Sequence, residues 1–437
     1  MFKIVLNLDF RYAAINQTWR LFSGLALLAL IPLYLNAETQ GYWYTFTSLA
    51  ALAVFADMGF STILLQFSAH EFAHLKFESD KTLSGNHLHL ERIASLLRFA
   101  MKWSWGIGLL TFPIILFSGF VILSQKYTTV LWGLPWIIYV MASVLAFINS
   151  ILLSFIEGCN SVGEVQKIRF LISFITIIST VIFLMIGSGL YALTVSLCIG
   201  TLSGTMLIFY RYARMLKQLH GLGTKISHSW KYELLPLMGK YAISWASGYF
   251  IFFIFTPIAF HYYGAVEAGK VGLSIAVCTA IYGISNIWIT IITPKINILV
   301  AHQDYETLDF IFKKHLSLAI LTYMLVITVL FIAVIFLGKY LHFADRLVNP
   351  FSLTILSLSW LMQITINSLA LYIRAHKEEP LAIPSFISGV YITTTTWLIA
   401  LYLPFEYFFI AFLSSYLWGI PWVIMIFKKY RKRDSVL

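Results

Sequence analysis

Charge is scarce in this sequence. Only 11% of its 437 residues are Asp, Glu, Lys or Arg, 59% are apolar, and the mean hydropathy is +0.82. A soluble domain carries about 25% charged residues, and a soluble chain this apolar would expose adhesive patches. A soluble fold is therefore excluded, and lipid must cover much of the surface. Cysteine is almost absent: Cys159, Cys198 and Cys278 lie far apart, mostly inside apolar runs, which excludes a disulfide framework and a thiolate zinc site. A cleavable leader is not expected, because Asp9, Arg11 and Arg20 precede or enter the first apolar stretch and no small-x-small exit follows. That stretch reads as a retained span. There is no G-x-x-x-x-G-K-[ST] string, so direct ATP hydrolysis is not expected and no cofactor is implied.

Apolar runs of membrane-crossing length, by contrast, are abundant. About 20 residues of helix cross a hydrocarbon core of ~30 Å. Such runs fall at 14–35, 41–65, 98–123, 128–153, 168–188 and 190–210, then at 238–261, 271–293, 315–338, 351–373, 382–402 and 404–427. Twelve spans put both termini on one side. With the N-terminus inside, 26 of the 30 Lys and Arg fall in inner segments and 4 in outer loops, a strong positive-inside bias. The sequence thus predicts a multi-pass protein of the cell inner (cytoplasmic) membrane with N- and C-termini cytoplasmic. The net charge of +11 serves topology rather than nucleic acid, since the basic residues sit in short clusters between apolar runs. The larger non-membrane pieces, 66–97 and 211–237, are cytoplasmic, and no outer loop approaches the size of a domain.

A faint repeat joins the two halves. Ile31-Pro32, a turn with Glu38, then Gln40-Gly41 is echoed by Thr256-Pro257, a turn with Glu267, then Gly269-Lys270. Six is an even number of spans, so the halves would share one orientation and be related by an axis along the membrane normal. The expected fold is an all-α membrane protein of two six-helix lobes, residues 1–220 and 221–437.

Three sets of residues carry candidate chemistry. His70-Glu71-Phe72-Ala73-His74 fits H-E-x-x-H, which on one helix face could hold zinc with Glu71 as base. Catalytic zinc needs a third protein ligand, and His87 and His89 lie beyond a turn at Ser84-Gly85. The favoured reading is a helix end at the inner interface, with no metal. Charges inside spans cost about 2.5–3.5 kcal/mol at mid-membrane and default to function. Arg20 and Asp57 each lie sixteen residues from the outer turn, at one depth on adjacent antiparallel spans, where they would pair. Arg98, Lys102, Lys240 and Lys295 lie near the same level, and together these cations would suit a diphosphate headgroup. Interfacial Lys and Arg are also ordinary on the cytoplasmic side of any membrane protein. Asn149, Asn286, Gln363, Asn367 and Thr393 to Thr396 read as helix-joining groups. Pro257 and Pro294 read as kink sites, and Glu267, Lys270 and Pro257 as candidates for the outer mouth or gate.

Three strings are more specific. They are Gln40-Gly41-Tyr42-Trp43-Tyr44-Thr45 with Asp57-Met58-Gly59-Phe60; Ile156-Glu157-Gly158-Cys159-Asn160 leading to Glu164-Val165-Gln166-Lys167; and Ser244-Trp245, Gly248-Tyr249-Phe250, Pro257 and Gly264 through Ser274. In this order the sequence resembles the bacterial O-antigen flippases (Wzx-type) of the polysaccharide transporter family. The resemblance implies a MATE-like exporter fold with two six-helix lobes around a central cavity. It further implies movement of undecaprenyl-diphosphate-linked oligosaccharide from the cytoplasmic to the periplasmic leaflet, as in O-antigen and lipopolysaccharide biosynthesis. A cationic cavity, a coupling ion (proton or sodium) and polysaccharide polymerase or synthesis enzymes as partners belong to the same expectation.

On this reading Arg20, Arg98, Lys102, Lys240 and Lys295 receive the diphosphate, Asp57 tunes Arg20, and the polyprenyl tail stays in membrane lipid. Three rival readings stand beside it, the third being a membrane enzyme. A small-solute or drug exporter of the same superfamily differs in its cavity lining. A major-facilitator transporter would carry a Gly…Asp-Arg/Lys…Gly-Arg string after the second span, where this chain has His70 to His89. A polymerase or ligase would need a sizeable outer loop, and a zinc protease would need the missing ligand.

Overall fold

In the computed structural model, the described residues are 8–124, 129–222, 230–337, 343–376 and 380–434. They are almost wholly helical. The first half holds α1 (Leu8–Tyr34), α2 (Ala37–Ala50), a 3-10 turn at Ala51–Ala53, α3 (Val54–Asp57) and α4 (Phe60–Phe72). Next come a hairpin of β1 (Leu75–Phe77) and β2 (Leu83–Gly85), then α5 (His87–Leu123), α6 (Gly133–Gly158), α7 (Val162–Met185) and α8 (Tyr191–Gly221). The second half holds α9 (Trp230–Phe252), α10 (Phe255–Tyr263), α11 (Ala265–Ala301), α12 (Tyr305–Leu337), α13 (Pro350–Arg374), α14 (Ala382–Tyr402) and α15 (Ile410–Asp434).

Among the described residues eleven helices are long and apolar enough to cross a membrane, and twelve if one bent pair is a single span. This is a multi-pass membrane protein. Its outward side chains agree: Leu109, Phe117, Met206 and Leu325 are large, apolar and more than half exposed, a surface that only lipid solvates. The expected span boundaries need correcting where helices run past the bilayer. α5 begins at His87 and α11 continues to Ala301, each 37 residues long, because outside the hydrocarbon core polar residues can continue a helix with water at hand.

The expected second span is broken. Met58 and Gly59 both adopt left-handed backbone, φ 44° and 76°, and the chain turns by 42° between Ala37–Asp57 and Phe60–Phe72. Glycine takes this conformation freely and methionine does so at a cost. The expected seventh span remains one crossing, Ala242–Tyr263, with only a lapse in the helical hydrogen bonds at Phe253 and Ile254 between α9 and α10.

The chain folds into two compact units, Met1–Leu30 with Leu49–Trp245, and Ile31–Ser48 with Ala246–Leu437. In the first unit α4, α6, α7 and α8 pack around Phe60, Ile63, Leu64, Phe155 and Ile156, all fully buried. In the second, one end is filled by Ile292, Ile296, Leu308, Phe312, Tyr372 and Ile373. Elsewhere in this unit Phe252, Phe255, Trp360 and Phe412 form an aromatic cluster of stacked, tilted and edge-on contacts with centroids 5.5–6.2 Å apart.

The second unit includes eighteen residues from near the N-terminus. The segment Ile31–Ser48, the end of α1 and most of α2, is joined to α11 and to the turn before α13. Gln40 Nε2 donates to the Gly269 carbonyl at 3.0 Å, and Arg346 Nη2 donates to the Leu35 carbonyl at 3.0 Å. A Cβ at Gly41 would lie 1.8 Å from the Ala265 carbonyl oxygen, so no other residue allows this approach. The Ser48 hydroxyl donates to the Phe253 carbonyl, which has no helical donor because Pro257, four residues on, lacks an N–H.

Candidate functional site

Asp57 ends α3 and faces the start of α4. Its Oδ1 accepts from the Ser61 amide at 3.0 Å and its Oδ2 from the Ser61 hydroxyl at 2.9 Å. The carboxylate thus satisfies orphan donors at a half-helix N-terminus and lies at the positive end of its dipole. That is how a charge is accommodated inside a span. The expected partner is not the one found: among the described residues no ion pair joins Asp57 to Arg20. Arg20 lies on an exposed face of α1. Beside it the α1 backbone is fixed by Asn16, whose Nδ2 donates to Gln166 Oε1 at 2.9 Å, and by Trp19 against Phe174.

The remaining candidates divide between the units. Arg98 donates from Nη1 to the Leu222 carbonyl at 2.6 Å, while its buried Nη2 has no hydrogen-bond partner among the described residues. Lys102, one turn further along α5, is exposed. Lys240 lies in α9, and its side chain is outside the described residues. In the second unit Lys295 is exposed on α11 directly after Pro294. Pro257 is buried within α10, and Glu267 pairs with Lys270 at 2.8 Å on the first turns of α11. Among the described residues Glu267–Lys270 is the one ion pair between two candidates.

The H-E-x-x-H string does not form one helix face. α4 ends at Phe72, so His70 is helical and exposed while His74 enters the hairpin. Glu71 is buried and ion-paired: Arg92 Nε lies 3.0 Å from Oε1, without hydrogen-bond geometry, and His89 Nδ1 lies 2.7 Å from Oε2. The His74 ring stacks on His89 at 3.9 Å, and the Arg92 guanidinium lies over the Trp230 ring. Trp230 Nε1 donates to the Ser95 hydroxyl at 2.7 Å. Among the described residues no three His, Cys, Asp or Glu side chains could hold a metal. Glu71 is an anchor between α4, α5 and α9. Sequence reasoning missed this role, for which the only signal was a carboxylate and an arginine on opposite sides of a short hairpin.

The other specific string is structural as well. Glu157 accepts from Gln166 Nε2 at 3.1 Å and pairs with Arg169 at 2.8 Å, which ties α6 to α7. Glu164 receives a two-pronged contact from Arg211 at 2.7 and 2.9 Å, the strong geometry for an arginine. The polar residues within spans mostly join helices. Asn149 donates to the Thr201 carbonyl, Asn367 to Asn286, and Tyr416 to Gln363.

No protein-family model and no curated protein matches this sequence. Solved structures match it by fold. A multidrug resistance MATE family transporter of the MOP superfamily, in an inward-facing conformation, superposes with a TM-score of 0.65 at 13% identity. The match covers 99% of this chain and 97% of that one. The outward-facing conformation of a multidrug resistance MATE transporter gives 0.50 at 11% identity, covering 97% and 96%. A MOP superfamily transporter from Pyrococcus furiosus with a binding pocket of reverse polarity gives 0.54 at 11% identity, covering 96% and 94%. The chain therefore has the all-helical fold of the MATE transporters. The expected fold class is borne out along the whole chain.

Proposed function

We propose that this protein is a membrane transporter working by alternating access, and that its cargo is an undecaprenyl-diphosphate-linked oligosaccharide. The cargo would pass from the cytoplasmic to the periplasmic leaflet of the inner membrane, both termini being cytoplasmic. The observation that carries the transport reading is the extent of the fold: a MATE transporter matches 99% of the chain. The cargo reading rests on the resemblance of three strings to those of O-antigen flippases and on the free cations. Among the described residues Arg20, Lys102 and Lys295 are exposed and make no ion pair, which leaves them available to phosphate oxygens. The strings themselves pack helices in this structure, so they support kinship and not a chemical step. A proton or sodium gradient is the proposed energy source, and polysaccharide-synthesis enzymes the proposed partners.

A second reading is favoured by one observation. The solved structure with a TM-score of 0.65 is a multidrug transporter, so export of small organic solutes fits the same fold. Glycan exposure on spheroplasts separates the two. Deletion of the gene should leave sugar-loaded carrier facing the cytoplasm, and Arg20→Ala with Lys295→Ala should reduce exposure at least about tenfold, the effect of losing charge-assisted contacts. Normal glycan exposure in the deletion strain, with lost resistance to lipophilic cations, would select the drug exporter instead.

A further inference from the structure

At the start of α12 the second unit has an open groove of about 480 Å³, lined by Glu306, Asp309, Phe310, Lys313, Lys314 and Ser317. This volume lies in the range of small-ligand sites. The spacing puts all six residues on one side of the helix. Asp309 is neutralised by Arg431 of α15. Among the described residues neither Lys313 nor Lys314 makes an ion pair, and both are exposed. The bilayer end of the groove therefore holds two adjacent free cations, with the acids toward the helix start.

The same helical side continues upward as Leu321, Leu325, Val329 and Ile332, each more than half exposed. From Ser317 to Leu337 the helix has the ~20 residues that fill a hydrocarbon core. Lys313 lies about 6 Å below that edge at 1.5 Å per residue, which is headgroup depth. An apolar stripe that ends at two ammonium groups is complementary to an amphiphile with a long tail and a doubly charged anionic head. A solvated basic patch would lack the stripe, and an ordinary lipid-facing helix would lack the groove.

We infer that this groove is a docking site for the diphosphate head of a polyprenyl lipid in the inner leaflet, Lys313 and Lys314 holding its oxygens and the tail lying along α12. The inference deepens the flippase reading and rests on its cargo and orientation. The site would collect cargo from the leaflet, separately from the cations on α1, α5 and α11.

Native mass spectrometry of the purified full chain tests it, with undecaprenyl diphosphate and phosphatidylglycerol as separate probes. Lys313→Ala with Lys314→Ala should weaken undecaprenyl diphosphate binding at least about tenfold, and Lys313→Arg with Lys314→Arg should restore it. Phosphatidylglycerol binding should change less than twofold in both. The inference is overturned if the alanine pair binds the diphosphate as the parent does, if both lipids are lost equally, or if the parent does not bind the diphosphate. Translocation in proteoliposomes is read in parallel. Lysine-dependent binding without translocation by the parent would sink the flippase reading and leave the site standing.

Discussion

Glu71 shows how a residue's surroundings decide its chemistry. Its carboxylate is 3% exposed and is held by Arg92 and His89, so removing it strands a cation. Breaking a buried pair costs about 3–5 kcal/mol, less where one partner meets solvent, and Arg92 is 29% exposed. Glu71→Ala should therefore cost about 2 kcal/mol, seen as a lower Tm in detergent, while a zinc chelator should leave Tm unchanged. The hairpin that follows has a pH signature. Asp80 accepts from the Thr82 hydroxyl and amide, and Glu78 from the Ser84 hydroxyl with Lys76 nearby; these contacts hold both carboxyls below their ordinary values. Their support is complete above the unfolded values near 4 and is lost as pH falls through the lower folded ones. Intrinsically corrected amide protection at Thr82 should persist from neutrality to about pH 4 and fall below it. Early loss, between pH 7 and 5, would contradict this assignment.

Among elements, α2 and α11 approach closely where Gly41 meets Ala265. Gly41→Val would drive side-chain carbon into the Ala265 carbonyl and break the Gln40–Gly269 hydrogen bond. Overpacking of this kind costs about 1–3 kcal/mol or more, so the expected outcome is a large drop in folded yield, whereas Val266→Ala on the exposed neighbouring position should be silent. The helices themselves were largely legible from hydropathy, since every apolar run of about 20 residues except the second became one helical crossing. The break at Met58-Gly59 was not legible, because window averages pass over two residues whose backbone, not polarity, is unusual. The Asp57–Ser61 contact four residues apart is the local trace of that break. The anchor at Glu71 was obscured by a motif match, since spacing in sequence presumes a helix that stops at Phe72.

At the scale of the whole molecule, composition alone identified a membrane protein, span number and repeat suggested two six-helix lobes, and the MATE-like fold, which a MATE transporter matches, was implied only by the resemblance of three strings to a family. Cargo was not legible in the same way: Arg20, Lys102 and Lys295 are exposed, yet exposure is common to interfacial cations of every kind. Orientation rests on 26 inner against 4 outer basic residues. A reporter fused after Leu437 should be active only in the cytoplasm, and one inserted beside Lys270 only outside; the reverse pattern would refute the proposed orientation.

The early strap Ile31–Ser48, built into the later unit, also constrains synthesis. Residue 40 leaves the ribosome long before residue 269, its hydrogen-bonding partner 229 positions away. The first two spans must then wait in the membrane with Gln40 and Gly41 unsatisfied until α11 is inserted. Contacts this distant in sequence close slowly. A nascent chain stalled before α11 would leave that strap open to quality-control proteases, and a fragment starting at Ala246 would lack part of its own core.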